Sequence, residues 1–185
     1  MIKNIKLLIM DVDGTLTDGK IYMGESGEAF KAFNIKDGCG IHDLLPNVNI
    51  EWNNKGDSRN LKGIVPIIIT ARKSKALENR CNELGILHLY QGCRNKVAKI
   101  EQLARDFFLI PETKAGERCY EEIAYIGDDL IDLPAMRICG LVGCPADAAK
   151  QVKEISDFIS SYNGGEGAVR DFIEWLVGDE NIEFS

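Results

Sequence analysis

Leu7-Leu8-Ile9-Met10-Asp11-Val12-Asp13-Gly14-Thr15 is the stretch on which the fold turns. Its apolar run reads as a buried strand that ends abruptly at two carboxylates one residue apart, followed by glycine. Carboxylates are rarely buried unless they are paired or hold a metal, so this pair at the end of a core strand needs a cation or a role. A turn with aspartate caps would account for Asp11-Val12-Asp13-Gly14 standing alone. Three later stretches repeat the arrangement: Ile67-Ile68-Ile69-Thr70, Gly92-Cys93-Arg94-Asn95-Lys96 and Ile123-Ala124-Tyr125-Ile126-Gly127-Asp128-Asp129. Each places polar residues at or just beyond a strand end. In an open α/β sheet such ends converge on one crevice, where the four groups can meet.

Outward from that strand, residues 20–23 and 29–33 flank Gly24-Glu25-Ser26-Gly27 and predict a small β-hairpin, a flap too small for a cap domain. Asp37-Gly38-Cys39-Gly40 reads as a connection, with a short helix from residue 41 that Pro46 ends. Residues 47–63 are polar, Asn-rich and unpatterned, a long loop. Residues 65–70 are apolar and β-branched, a strand buried on both faces with Pro66 tolerated near its start. Leu77, Cys81 and Leu84 recur at helical spacing before Gly85, residues 86–90 form the next strand, and Asn95 opens a helix with Val97, Ile100, Leu103 and Phe107 on one stripe. A polar connection over 112–122 leads to a strand at 123–126, a helix at 130–138 with Pro134 in its first turn, and a strand at 141–142. A helix at 146–155, a strand at 158–159 and a helix at 167–176 complete the chain. The alternation predicts an α/β fold: a Rossmann-like three-layer sandwich with a mainly parallel sheet, a hairpin flap and no separate cap domain. Residues 1–185 read as a single domain.

Hydrophobic content of 45% and charged content of 28% exclude a disordered chain. The net charge of -7 argues against a nucleic-acid binder, which gains affinity from clustered Lys and Arg. The six cysteines form no C-x-x-C pair and no zinc-like grouping, as expected in a reducing compartment. Met1 leads towards the first strand without a signal-peptide layout and no apolar run is long enough to span a bilayer, so the expected location is the cytoplasm.

If the strand ends meet, Asp11, Asp128 and a backbone carbonyl near Asp13 supply hard oxygen ligands suited to Mg2+. A carboxylate is a usable nucleophile for phosphoryl transfer, being ionised at neutral pH and giving a labile acyl phosphate. Asp11 is the candidate nucleophile and Asp13 the general acid and base, while Thr70 and Lys96 hold phosphate oxygens. Taken singly, Thr70 could be a helix cap, Lys96 a solvated first-turn residue and Gly127-Asp128-Asp129 a capped turn. As an ordered set they are much harder to explain by capping. A signalling receiver domain also gathers aspartates, a Thr and a Lys around magnesium, but it places the phosphorylated Asp on a middle strand.

The set resembles the haloacid dehalogenase superfamily of aspartate-nucleophile phosphatases: Asp11-Val12-Asp13-Gly14-Thr15 looks like its first motif, Thr70 its second, Lys96 its third, and Gly127-Asp128-Asp129 with Asp132 its fourth. The resemblance covers nearly the whole chain and implies Asp11, Asp13 and Asp128 as the magnesium site. Lys31-Ala32-Phe33-Asn34-Ile35-Lys36-Asp37-Gly38, Leu89-Tyr90-Gln91-Gly92 and Gly164-Gly165-Glu166-Gly167-Ala168-Val169-Arg170 are similar to the capless branch that holds the 3-deoxy-D-manno-octulosonate 8-phosphate phosphatases. That resemblance implies a sugar acid phosphate as substrate, a homotetramer whose neighbouring subunit closes the site, and a place in lipopolysaccharide biosynthesis. Arg72 matches the octulosonate phosphatases, where phosphatases of nine-carbon sialic-acid-type sugar phosphates tend to carry glutamate. Arg72, Lys73 and Arg80 are therefore candidate substrate-binding residues, a solvated basic helix face being the plain alternative. Ala71 departs from the family's usual glycine, and residues 47–63 are longer than its usual connection. The same fold also serves as a non-catalytic oligomerising module related to the C-terminal domain of sialic acid cytidylyltransferases, which the presence of all the motif residues disfavours. The glycine-rich segment at 164–167 is expected to close over substrate.

Overall fold

A computed structural model describes residues 4–45, 63–107, 109 and 118–178. Its centre is β1 (Leu7–Met10), every residue of which is buried. Beside it lie β4 (Val65–Ile69) and β6 (Tyr120–Ile126), and beyond those β5 (His88–Tyr90), β7 (Cys139–Cys144) and β8 (Phe158–Ile159). The order is β5-β4-β1-β6-β7-β8, and every pairing in this six-stranded sheet is parallel. The chain builds outward from β1 on one side and then returns to build on the other, so the strand order reverses between β1 and β6. That switch point opens a crevice at the carboxyl ends of these strands.

Alternation along the strands separates two cores. Leu7, Ile9, Ile67, Ile69, Ile123 and Tyr125 pack with Ile100, Leu103 and Ala104 of α3 (Lys96–Asp106), with α4 (Leu133–Ile138) and with Val152 of α5 (Lys150–Ile155). Leu8, Met10, Ile68, Ala124 and Ile126 pack on the other face against Leu77 and Cys81 of α2 (Lys75–Glu83) and against Val169, Phe172, Ile173 and Leu176 of α6 (Ala168–Val177). The expected three-layer α/β sandwich is present, and so is the hairpin, formed by β2 (Tyr22–Gly24) and β3 (Gly27–Phe30) as a separate antiparallel pair.

Several element boundaries differ from the sequence reading. A helix, α1 (Ile35–Cys39), occupies the supposed connection and runs into a π-helical turn at Gly40–Leu44. Two glycines obscure it, and both are tertiary requirements: a Cβ on Gly38 would collide with the Arg80 guanidinium, and one on Gly40 would stand 2.8 Å from Arg170 Cδ. Strands β6 and β7 are longer than predicted, because parallel pairing extends to Tyr120 and Cys139, beyond the continuous apolar runs. Helix α5 starts later than expected, at Lys150. Residues 47–62 of the long loop and residues 112–117 of the polar connection lie outside the described residues.

Candidate active site

Asp11 follows β1 directly, Thr70 follows β4, Asp128 stands two residues beyond β6, and Lys96 is the first residue of α3. The register Met10↔Ile68 and Met10↔Ile126 brings the ends of these strands level, which is why residues so distant in sequence share one edge. Asp11, Thr70, Lys96 and Asp132 are all buried.

Lys96 ties the carboxylates together. Its Nζ donates to Asp11 Oδ1 at 2.6 Å and to Asp132 Oδ1 at 2.7 Å, and the Lys96 side chain is only 2% exposed. Such a buried ammonium is tolerable only with charge partners and hydrogen bonds around it. Burial lowers the Lys96 pKa, but Asp11 and Asp132 more than offset it and hold the group above its ordinary value. Asp132 is itself fully tied: Tyr125 donates its hydroxyl to Oδ1 at 2.7 Å, and the backbone amides of Asp128 and Asp129 donate to Oδ2 at 3.2 and 3.3 Å. Thr15 donates to Asp128 Oδ1 at 2.9 Å.

Among the described residues, Asp11, Asp128 and Asp132 offer carboxylate oxygens that all lie within 4.8 Å of one another. Burial, then the proximity of Asp132, pushes Asp11 up to about 6 against the opposing pull of Lys96. Burial, then Asp11, pushes Asp128 up to about 7. Oxygen ligands crowded until they resist ionisation are what a hard divalent cation relieves, so the donor set fits Mg2+. Gly14 is required beside it: its φ is +98°, and a Cβ there would overlap the Asp128 carboxylate.

The remaining predicted residues fall into three places. Asp13 lies beside Asp11, but its carboxylate pairs with Lys31, so the side-chain cluster contains Asp132 where the sequence reading has Asp13. A ligand role for Asp13 would run through its backbone, as the sequence reading allows. Thr70 Oγ1 accepts from the Arg72 amide at 3.3 Å, and Arg72 reaches Glu28 on the hairpin. Lys73 lies over Gly92, its Cε 2.7 Å from where a Cβ would stand. Arg80 turns to Gly38 and to Glu83, 2.9 Å away, and lines a small cavity with Asp37, Leu77 and Cys81, so its present contacts are with α1 and its own helix. Tyr125 and Glu28 carry no motif signal, and Lys31 only opens a stretch that resembles the family without being given a role. Tyr125 alone could have been suspected, as a phenol inside an apolar strand that needs a buried partner.

No family model matches the chain. It is 43% identical over 175 residues to the 3-deoxy-D-manno-octulosonate 8-phosphate phosphatase KdsC of Salmonella typhi, covering 95% of this chain and 80% of that protein. It belongs to the 3-deoxy-D-manno-octulosonate 8-phosphate phosphatase family. Another family member, KdsC of Escherichia coli K12, is 42% identical with the same coverage. Among solved structures of the family, the Moraxella catarrhalis phosphatase in complex with magnesium ion, phosphate ion and KDO aligns with a TM-score of 0.76 at 35% identity, over 95% of this chain and 87% of that one. A YrbI family phosphatase from Pseudomonas syringae aligns with a TM-score of 0.78 at 39% identity, over 95% and 85%. The family's place in the haloacid dehalogenase superfamily agrees with the parallel sheet and with the position of Asp11 at its central edge.

Proposed function

We propose that the protein is a magnesium-dependent phosphatase of 3-deoxy-D-manno-octulosonate 8-phosphate, working through an aspartyl-phosphate intermediate. The observation that carries this reading is the Lys96 bridge, which fixes Asp11 beside Asp128 and Asp132 in a chain 43% identical to a phosphatase of that substrate. Asp11 and Asp128, with the backbone at Asp13, would hold Mg2+, while Asp132, its oxygens already taken by Lys96, Tyr125 and two backbone amides, would position Lys96. When bound, the ion offsets the repulsion between the Asp11 carboxylate and the phosphate oxygens.

Lys96 engages Oδ1 of Asp11, orients the carboxylate and adds positive charge where phosphate oxygens gather. An Asp11 oxygen forms a bond to phosphorus as the bond to the sugar oxygen breaks, and Asp13 gives that oxygen its proton. Asp13 then takes a proton from water, whose oxygen attacks phosphorus, frees the Asp11 carboxylate and releases inorganic phosphate. Thr70, which follows β4, holds a phosphate oxygen in this reading. Arg72 favours the eight-carbon over the nine-carbon substrate, and Lys73 is the second cation on that side. Arg80 reaches substrate only by leaving Glu83.

Residues 1–185 act as one domain in this reading. A homotetramer supplies the missing cap, consistent with the exposed apolar hairpin side chains Ile21, Met23 and Phe30. All six cysteines are free thiols, which supports a reducing, cytoplasmic setting. No helix among the described residues is long and apolar enough to cross a membrane. The test is phosphate release from octulosonate 8-phosphate, a nine-carbon 9-phosphate and simple hexose phosphates, with and without magnesium. The expected result is magnesium-dependent turnover fastest on the first; equal rates on hexose phosphates would overturn the substrate assignment.

A further inference from the structure

On the hairpin side of the site, four charged residues form a single chain. Lys31 Nζ pairs with Asp13 Oδ1 and lies 3.5 Å from Glu28 Oε2, and the same Glu28 oxygen pairs with Arg72 Nη2. Glu28 sits on β3, whereas Arg72 lies two residues past Thr70. One hairpin carboxylate thus draws together a cation that touches Asp13 and a cation beside the phosphate-side threonine. The Lys31 side chain is 4% exposed and that of Glu28 is 18% exposed, so water screens this cluster only partly.

Cations held so near each other repel unless an anion lies between them. A sugar acid phosphate brings a second anion, its carboxylate, at the end remote from the phosphate, and guanidinium and ammonium groups are its natural partners. Resting on the substrate reading above, we infer that Glu28 is a specificity residue acting through Lys31 and Arg72: its carboxylate occupies the place of the substrate carboxylate and is exchanged for it on binding. The cations stay oriented between turnovers. A phosphate ester without a carboxylate has nothing to exchange and leaves Glu28 where it is, whereas a sugar acid recovers both pairings. Glu28 therefore sets how strongly the site separates acidic from neutral sugar phosphates.

The experiment compares wild type, Glu28→Gln and Glu28→Asp on octulosonate 8-phosphate and on p-nitrophenyl phosphate at saturating magnesium. Removing the internal competitor is expected to lower KM for the sugar acid by roughly two- to fivefold, the range a partly exposed ion pair commands. No matching fall in kcat is expected, and the Glu28→Asp variant should stay near wild type. The free eight-carbon sugar acid should inhibit aryl phosphate hydrolysis more tightly in Glu28→Gln by the same factor. A raised KM for the sugar acid, or an equal fall in kcat on both esters, would mean that Glu28 only fastens the hairpin and would overturn the inference. If wild type does not hydrolyse octulosonate 8-phosphate, the substrate reading fails by itself. Inhibition by the free acid then decides the Glu28 inference, which unchanged inhibition in Glu28→Gln overturns.

Discussion

Lys96 stands between Asp11 and Asp132 with almost no access to solvent, so its loss leaves two buried carboxylates facing each other. Breaking a buried pair from one side typically costs about 3–5 kcal/mol, and Lys96→Met should lower the urea-unfolding free energy by that order. Adding Asp132→Asn to that variant should recover part of the loss, since one stranded charge is gone. Asp11→Asn should behave oppositely: turnover falls by roughly 10³-fold or more with the nucleophile gone, while the fold survives, because burial already resists ionisation of this group. Far-UV circular dichroism alongside phosphate release checks both halves. The raised Asp11 and Asp128 pKa values, about 6 and about 7, also set the response to magnesium. Cation binding must displace their protons, so the magnesium concentration for half-maximal activity should climb as pH falls from 8 to 5, and chelation should abolish turnover. These aspartates and the lysine were legible as residue types at strand ends. Asp132 was legible only as a motif member, because its importance lies in four donors that meet it after folding.

At the scale of elements, the glycine-rich segment works as a backing for the acidic loop. The Gly165 amide donates to the Thr15 carbonyl at 3.0 Å, and Asn34 of the α1 cap donates to the Gly165 carbonyl at 3.3 Å. A Cβ on Gly164 would overlap the Gly14 carbonyl, so Gly164→Ala should destabilise the protein by about 1–3 kcal/mol. It should also lower kcat in the fraction that remains folded, because the displaced backbone carries Gly14 and hence the Asp128 contact; activity per folded molecule, from parallel denaturation curves, is the measure. The sequence expectation that this segment closes over substrate meets a different geometry, for it leads straight into α6, whose Val169, Phe172, Ile173 and Leu176 are core residues. A chain cut before Gly164 would lose that core. Helix α3 was readable from its stripe and its Asn95 cap, which accepts from the Ala98 amide at 3.1 Å. Helix α1 was not, since the glycines that mask it answer to Arg80 and Arg170 from other elements.

For the molecule as a whole, Asp37 couples helix packing to pH. It is buried, accepts from the Arg170 amide at 2.9 Å, and caps α6 from across the fold, where the local cap residue Gly167 supplies no side chain. Its Oδ2 is buried without a partner, and burial pushes the carboxyl up to about 6 against the pull of the α6 amides. A carboxyl that holds its proton more tightly when folded contributes stability that is complete below about pH 4 and lost as pH rises through 6. The rise from 3.8 to about 6 is worth on the order of 3 kcal/mol by pH 7. Urea midpoints measured from pH 4 to 8 should therefore fall less steeply in Asp37→Asn than in wild type; parallel curves would refute this account. By itself the sequence determined the layered α/β architecture, the buried first strand and the presence of aspartates, a threonine and a lysine at strand ends, because these depend on local periodicity and on the cost of burying charge. Only the tertiary structure decided which carboxylates share Lys96, that Asp13 turns to Lys31, and that Asp37 caps a helix far along the chain. Those outcomes depend on strand register and helix packing, which bring together groups that no local pattern relates.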